Sequence, residues 1–396
     1  MRNPRTSRRW FIGQVAAGTA GVLWAGPRVL GGEERAGVAI DEPFDGAVLN
    51  RRHGEVVPEG LKIPVSGTAP AGKAVRVNGT PARRDGEQFT AEVVLRAPET
   101  EIVAALDGAG DETAARFRVV WDRNSKPRYR VAIDDNSFFL RDIFQEGYRS
   151  LFDCWYLAML RDLNRKYGAK FVLNIYYTTG EDFNLTHFPD RYRGEWADAA
   201  EWLKLAFHAH ANDPARPYQD APAETVLADF DKVAEQIHRF AGEETYSPTT
   251  VIHWGMVRHE AFPGLYERGV RALSGYFRQN AEGAWDINYR WDARHSEYLS
   301  RHDAWKDFQS GIVFSKIDIV INSTPLERIV PTLAPLTKDP NTAEIMDLLT
   351  HEQYFWPFYR NHLPDHPKRM DAAVRWCTEQ GYEPVFLHEG LLGVEG

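Results

Sequence analysis

Between Gly37 and about Trp121, apolar and polar positions alternate in short runs parted by turn residues. Lys62-Ile63-Pro64-Val65-Ser66-Gly67, Ala74-Val75-Arg76-Val77 and the runs at 88–95 and 115–120 carry the period of two that half-buried strands require. Asn78-Gly79 and Asp85-Gly86 are hairpin signals, because both pairs tolerate the left-handed backbone of a tight turn. This spacing predicts a small all-β sandwich of immunoglobulin-like type over 37–121. It holds no cluster of His, Cys or carboxylates, so it reads as an accessory or spacer module, with sugar binding as a role open to it.

After a polar linker at 122–127 the rhythm changes. Apolar runs at 129–133, 170–177, 202–210, 250–255, 272–277, 316–322, 345–354 and 384–388 are parted by helix-like stretches at 151–167, 223–240, 259–269 and 367–380. Strand–helix alternation predicts a parallel sheet. Seven or eight such strands over 128–396 predict a closed (β/α) barrel, so the fold class is α/β behind an all-β module. An open doubly wound sheet is the alternative, but no Gly-rich phosphate loop follows the first strand.

The strand ends carry the candidate chemistry. Val131-Ala132-Ile133 runs into Asp134-Asp135-Asn136, and Leu205-Ala206-Phe207 into His208-Ala209-His210-Ala211-Asn212. Val251-Ile252 runs into His253-Trp254, Leu348-Leu349 into Thr350-His351-Glu352, and Val385-Phe386-Leu387 into His388-Glu389. In a parallel barrel all these ends lie on one face, where active sites are built. Helix capping explains Asp, Asn and Ser at such places, but not His at four of them. Adjacent carboxylates after a buried strand are costly unless a cation compensates one of them. Imidazole and carboxylate donors with open positions are what a hydrolytic zinc site requires. Tyr176, Tyr177, Trp254 and Tyr276 also stand at strand ends, where rings stack on a sugar or simply pack.

Composition narrows the partner. Hydrophobic residues at 43% and charged residues at 26% describe a globular chain. A net charge of −9 lacks the basic footprint that nucleic acid demands. The two cysteines, Cys154 and Cys377, are too few for a disulfide framework or a cysteine-based zinc module and read as buried free thiols. At the N-terminus, Arg5-Thr6-Ser7-Arg8-Arg9-Trp10-Phe11-Ile12 precedes a weakly apolar stretch at 15–30. This run resembles a twin-arginine export signal and sets residues up to about 35 apart from the fold. It predicts a periplasmic or secreted protein with no membrane span once the signal is removed.

Over 128–396 the motifs resemble those of the polysaccharide deacetylase family. Ile133-Asp134-Asp135-Asn136 is similar to the family's opening motif, His208 to the first His of its second, and Val385-Phe386-Leu387-His388 to its last. The chain departs from the pattern at Asn212, where the family has a second His, and carries an extra His at His210. The resemblance implies a deacetylase-type barrel and a divalent metal, zinc first, on Asp135, His208 and either His210 or Asn212. It implies Asp134 as catalytic base and His388 as catalytic acid, on a polysaccharide or oligosaccharide substrate.

Glu352 is a further catalytic candidate, and His253, Trp254, His351 and Tyr276 are candidates for substrate binding. Two other readings stay open: a metal-free glycoside hydrolase using Asp135 with Glu352 or Glu389, and a non-catalytic sugar-binding barrel. The segment 279–310, with Trp285, Trp291, His295 and Trp305, is too long for an ordinary barrel connection. It reads either as a substrate lid or as an excursion packed on its own aromatics. His187, His238, His362 and His366 are expected at the surface.

Overall fold

The computed structural model describes residues 37–108, 113–248 and 251–390. The export signal expected at 1–35 lies outside the described residues. No helix among them is long and apolar enough to cross a membrane.

The N-terminal alternation becomes two five-stranded, mostly antiparallel sheets. One contains Gly60–Thr68 and Gln88–Leu95, the other Glu99–Leu106 and Ala115–Trp121. Leu61, Ile63 and Val65 from the first, and Ile102, Ala104 and Val119 from the second, enter the same core. Val75–Val77 turns back on Thr80–Pro81 through Asn78 and Gly79, both left-handed at φ 46° and 80°. The turn chemistry of the sequence thus sets this register.

From Arg128 the chain is a mixed α/β assembly. The Arg128–Asn136 strand lies at the middle of a six-stranded sheet, flanked by Phe171–Tyr176 and Ile345–His351 and, further out, by Leu203–Ala209 and Ile319–Val320. All of these pairs are parallel. A second sheet pairs Ala272–Gly275 in parallel with Val313–Lys316, and Ala304–Lys306 in antiparallel on the other side. Both sheets face one interior, where Ala132 and Leu349 of the first pack with Val251 and Ile317. Below that layer Arg130 pairs with Asp347, which also accepts from Ser274 Oγ at 2.7 Å. Helices Trp155–Tyr167, Ala223–Phe240 and His366–Glu379 cover the outside with apolar faces.

Two expected strands are not formed, and the ring is not closed by ladders among the described residues. Residues 253–255 make a single tight turn with Trp254 left-handed at φ 65°. Leu205 reaches only an isolated bridge to Tyr246 on that side. The run at 384–388 shrinks to Glu383–Pro384, which pairs with Arg128 and Tyr129 at the start of the central strand. Phe386 then packs on Val172 and Ala206 as a plug at the bottom of the interior.

The β module docks on that same bottom end. Trp305 Nε1 donates to the Asp45 carbonyl at 2.6 Å, and Phe44 stacks on Tyr298 at 4.5 Å. Gly46 is obligatory here: its φ is 83°, and a Cβ would stand 2.3 Å from Trp305 Nε1. Buried Arg128–Asp122 (2.8 Å) ties the linker, and the Arg52–Glu344 pair ties the β module, to the strand starts. Segment 279–310 is part of this packing and not a free lid, since Trp291 lies 4.8 Å from Trp305 and 5.3 Å from Phe314. Cys154 and Cys377 are buried free thiols. Of the histidines expected at the surface, His366 is instead fully buried, stacked on Phe355 at 3.8 Å, with burial pushing its pKa down to about 3.

Candidate metal centre

Alternation along Arg128–Asn136 sends Tyr129, Val131 and Ile133 into the outer core and Arg130, Ala132 and Asp134 inward. Asp135 would then point outward with Ile133. Its backbone is left-handed instead, at φ 61°, and the ladder to Phe171–Tyr176 slips between Ile133 and Asn136. That local strain turns a second carboxylate into the site, a feature typical of functional positions.

Three donor atoms meet there. His208 Nε2 is 3.0 Å from Asp135 Oδ1, His253 Nδ1 is 3.1 Å from His208 Nε2, and His253 Nδ1 is 3.4 Å from Asp135 Oδ1. Around a tetrahedral zinc with bonds of about 2.0–2.1 Å, ligand atoms stand roughly 3.3 Å apart. The observed edges, 3.0, 3.1 and 3.4 Å, are close to that spacing. Asp135, His208 and His253 are also the one group of this kind found among the described residues.

The protons point the same way. His208 Nδ1 lies 2.5 Å from the Val251 carbonyl, a contact that only an N–H satisfies. Burial lowers the pKa of His208, so the ring is neutral and its bare Nε2 faces a carboxylate oxygen. Two acceptors 3.0 Å apart are relieved by a cation between them. Asp134 adds to the case: burial first, and the charge of Asp135 second, push its carboxyl well above the usual range. A cation on Asp135 removes that repulsion.

Neighbours orient the set. Gln353 Nε2 donates to Asp135 Oδ2 at 2.7 Å, the Tyr176 hydroxyl donates to Asp135 Oδ1, and Asn174 Nδ2 donates to Asp134 Oδ1 at 2.6 Å. His351, level with Asp134 on the adjacent strand, has its Nδ1 2.9 Å from Asn322 Oδ1. Burial lowers its pKa, and the nearby Asp135 charge offsets only part of that. Asp135 and Tyr176 open into a cleft of about 700 Å³ whose wall includes Asn212, Asp213, Phe138 and Arg360.

The turn that carries His253 is clamped from two sides. Tyr289 N donates to the Gly255 carbonyl at 2.6 Å, and Arg216 lies over the Trp254 ring at 4.7 Å. Arg216 also makes a bidentate pair with Asp286, at 2.7 and 2.8 Å. Arg216→Leu is expected to weaken zinc binding about 10–100-fold with little change in unfolding temperature, because Arg216 supports a ligand from a partly exposed position. Competition of the apoprotein with a zinc-responsive dye checks it, and unaltered affinity would show that the clamp does not reach His253.

Several expected site residues stand elsewhere. The Leu203–Ala209 strand ends before His210, whose ring turns outward, stacks on Tyr177 at 5.2 Å and lies 3.4 Å from Asp229. Asn212 stays on the cleft wall, with Oδ1 3.5 Å from the Tyr176 hydroxyl. Glu352 is fully buried, and its carboxylate accepts from the amides of Ser137, Phe138 and Phe139 and from Trp356 Nε1. It anchors the Phe138–Glu146 helix and faces no substrate space. His388 lies at the opposite end of the interior, parallel to Phe386 at 5.7 Å, and Glu389 pairs there with Lys170 at 2.9 Å. Tyr276 packs on the interior layer of Ala132 and Leu349.

The sequence gives Asn174 no role, offers Gln353 and Asn322 only as polar strand ends, and offers Tyr176 as a ring that stacks on a sugar or packs. The signal for two of them was present, because a lone Asn inside an apolar strand shares the inward face with Tyr176 two places on.

No family model matches the chain, and no curated protein matches it. Among solved structures it is similar to a peptidoglycan N-acetylglucosamine deacetylase, with 11% identity, 66% of this chain and 86% of that one covered, and a TM-score of 0.38. A family 4 acetyl xylan esterase from Clostridium thermocellum gives 13% identity, 66% and 88% coverage, and 0.36. A 4-alpha-glucanotransferase from Thermococcus litoralis gives 12% identity, 67% and 40% coverage, and 0.42. At these identities and scores the function of the chain has to be read from its own residues.

Proposed function

We propose that this chain is a metal-dependent hydrolase that removes acetyl groups from a polysaccharide or oligosaccharide. The observation that carries the reading is the triangle of Asp135, His208 and His253 donor atoms at 3.0–3.4 Å, open to the cleft through Asp135. A divalent ion bound there supplies Lewis acidity toward an acyl oxygen and lowers the pKa of water.

The chain's own groups do the rest. Asp134, fixed by Asn174, takes the proton of the attacking water. The Tyr176 hydroxyl gives its proton to Asp135 Oδ1 and so holds that carboxylate in place. The acyl carbon gains the water oxygen, its bond to the sugar nitrogen or oxygen breaks, and acetate leaves. In this reading His351, not His388, protonates the departing amine or hydroxyl; Asn322 occupies one of its ring nitrogens and leaves the other for that proton.

The glycosidase reading is less well supported, because Glu352 is committed to a helix end and Glu389 to the far end of the interior. The test is acetate release from acetylated glycans by the zinc-loaded protein, with loss on dipicolinate treatment and recovery on zinc addition. Glycan cleavage that survives the chelator would support a glycosidase, and binding without turnover a sugar-binding barrel.

The same proposal includes export. The Arg8-Arg9 pair supports the twin-arginine route to the periplasm or beyond, and Arg8→Lys with Arg9→Lys should retain the precursor in the cytoplasm. The 37–121 module, of immunoglobulin-like character, acts in this scheme as a rigid spacer, because it docks opposite the metal centre.

A further inference from the structure

Glu352 does a job that catalysis leaves unexplained. Its buried carboxylate holds two aromatic elements at once: the backbone of Phe138, and the indole of Trp356 through Nε1 at 2.9 Å. Phe138 lies 5.1 Å from Phe358, Trp356 lies 5.5 Å from Phe358, and Trp155 lies 5.0 Å from Trp356. Phe358 is 61% exposed and Trp155 40% exposed. Apolar faces this open are unfavourable in water, and when contiguous they mark interaction sites. The row is continuous with the cleft, because Phe138 and Tyr359 line it together with Asp135 and Arg360.

We propose that Phe138, Phe358 and Trp155 form a shelf for pyranose rings, holding the units next to the acetylated one. The proposal rests on the glycan reading above. A pyranose presents a flat C–H face for the rings and a rim of hydroxyls, for which Arg360 supplies donors at the cleft edge. Glu352 holds the Phe138 backbone and the Trp356 indole on which Phe358 and Trp155 pack, so the base of the shelf is formed in advance. A membrane surface is the less favoured occupant, given the net charge of −9.

The test compares wild type with Phe358→Ala, an exposed position whose change leaves the core intact. The probes are 4-nitrophenyl acetate, a single small ester, and penta-N-acetylchitopentaose and acetylated xylan as polymers. The shelf predicts that KM for an accepted polymer rises roughly tenfold while kcat and turnover of the small ester stay within twofold. Equal loss on both kinds of substrate, or none on the polymer, overturns it. If no glycan yields acetate, the deacetylase reading fails but the shelf is still decided by calorimetric binding of the same glycans. Binding lost in Phe358→Ala supports it, and absence of binding to wild type overturns it. Adsorption to phosphatidylglycerol vesicles that depends on Phe358, without glycan binding, also overturns it.

Discussion

His253→Ala is expected to empty the metal centre, while His210→Ala leaves it filled. The contrast is sharp because the sequence offers His210 as a metal ligand and His253 as a substrate-binding residue, and the fold sends them the other way. His253 Nδ1 stands 3.1 and 3.4 Å from the other two donors, whereas the His210 side chain is 42% exposed and faces Asp229. Losing a direct ligand from a three-residue set should cost more than the 10–100-fold that loss of a supporting residue costs. After dialysis against a weak chelator, wild type and His210→Ala should retain about one divalent ion per chain, and His253→Ala a small fraction of that. Metal retained by His253→Ala and lost from His210→Ala would reverse the assignment.

Asp134→Asn is expected to remove most of the activity and none of the metal. General-base loss lowers rates by roughly 10²–10⁴, so kcat/KM for acetate release should fall into that range. The amide oxygen of an asparagine still accepts from Asn174 Nδ2, so the fold is kept. The variant also removes a buried carboxylate pressed against Asp135, so its unfolding temperature should be equal to wild type or higher. A variant that keeps its activity would take Asp134 out of the reaction, and one that loses its metal would make it a ligand.

Much of the architecture was legible because it rests on local pattern. The alternation over 88–95, the Asn78-Gly79 turn and the long helical stretch at 223–240 each carry their own period, and each forms as read. Asp134, Asp135 and His208 were legible for a related reason: a polar residue at the end of an apolar strand declares a face. What failed depends on contacts distant in sequence. The Glu352 carboxylate caps a helix more than 200 residues earlier, and no local signal separates that role from catalysis. His388 follows an apolar run that looks like a strand, yet only Glu383 and Pro384 pair, and they pair at the wrong end of Arg128–Asn136 for a catalytic acid. His210 obeys strict alternation with His208, but the ladder slips at Ile175/Tyr176 and the strand stops at Ala209. His253 owes its place to the left-handed Trp254 behind it, a conformation that hydrophobic patterning does not report.

The most direct test of the central claim is a crystal of the zinc-loaded protein measured on both sides of the zinc absorption edge. The account predicts one anomalous peak about 2.0–2.2 Å from Asp135 Oδ1, His208 Nε2 and a ring nitrogen of His253. A peak beside His210 or Asn212 without His253, or no peak at the ends of these strands, would contradict it.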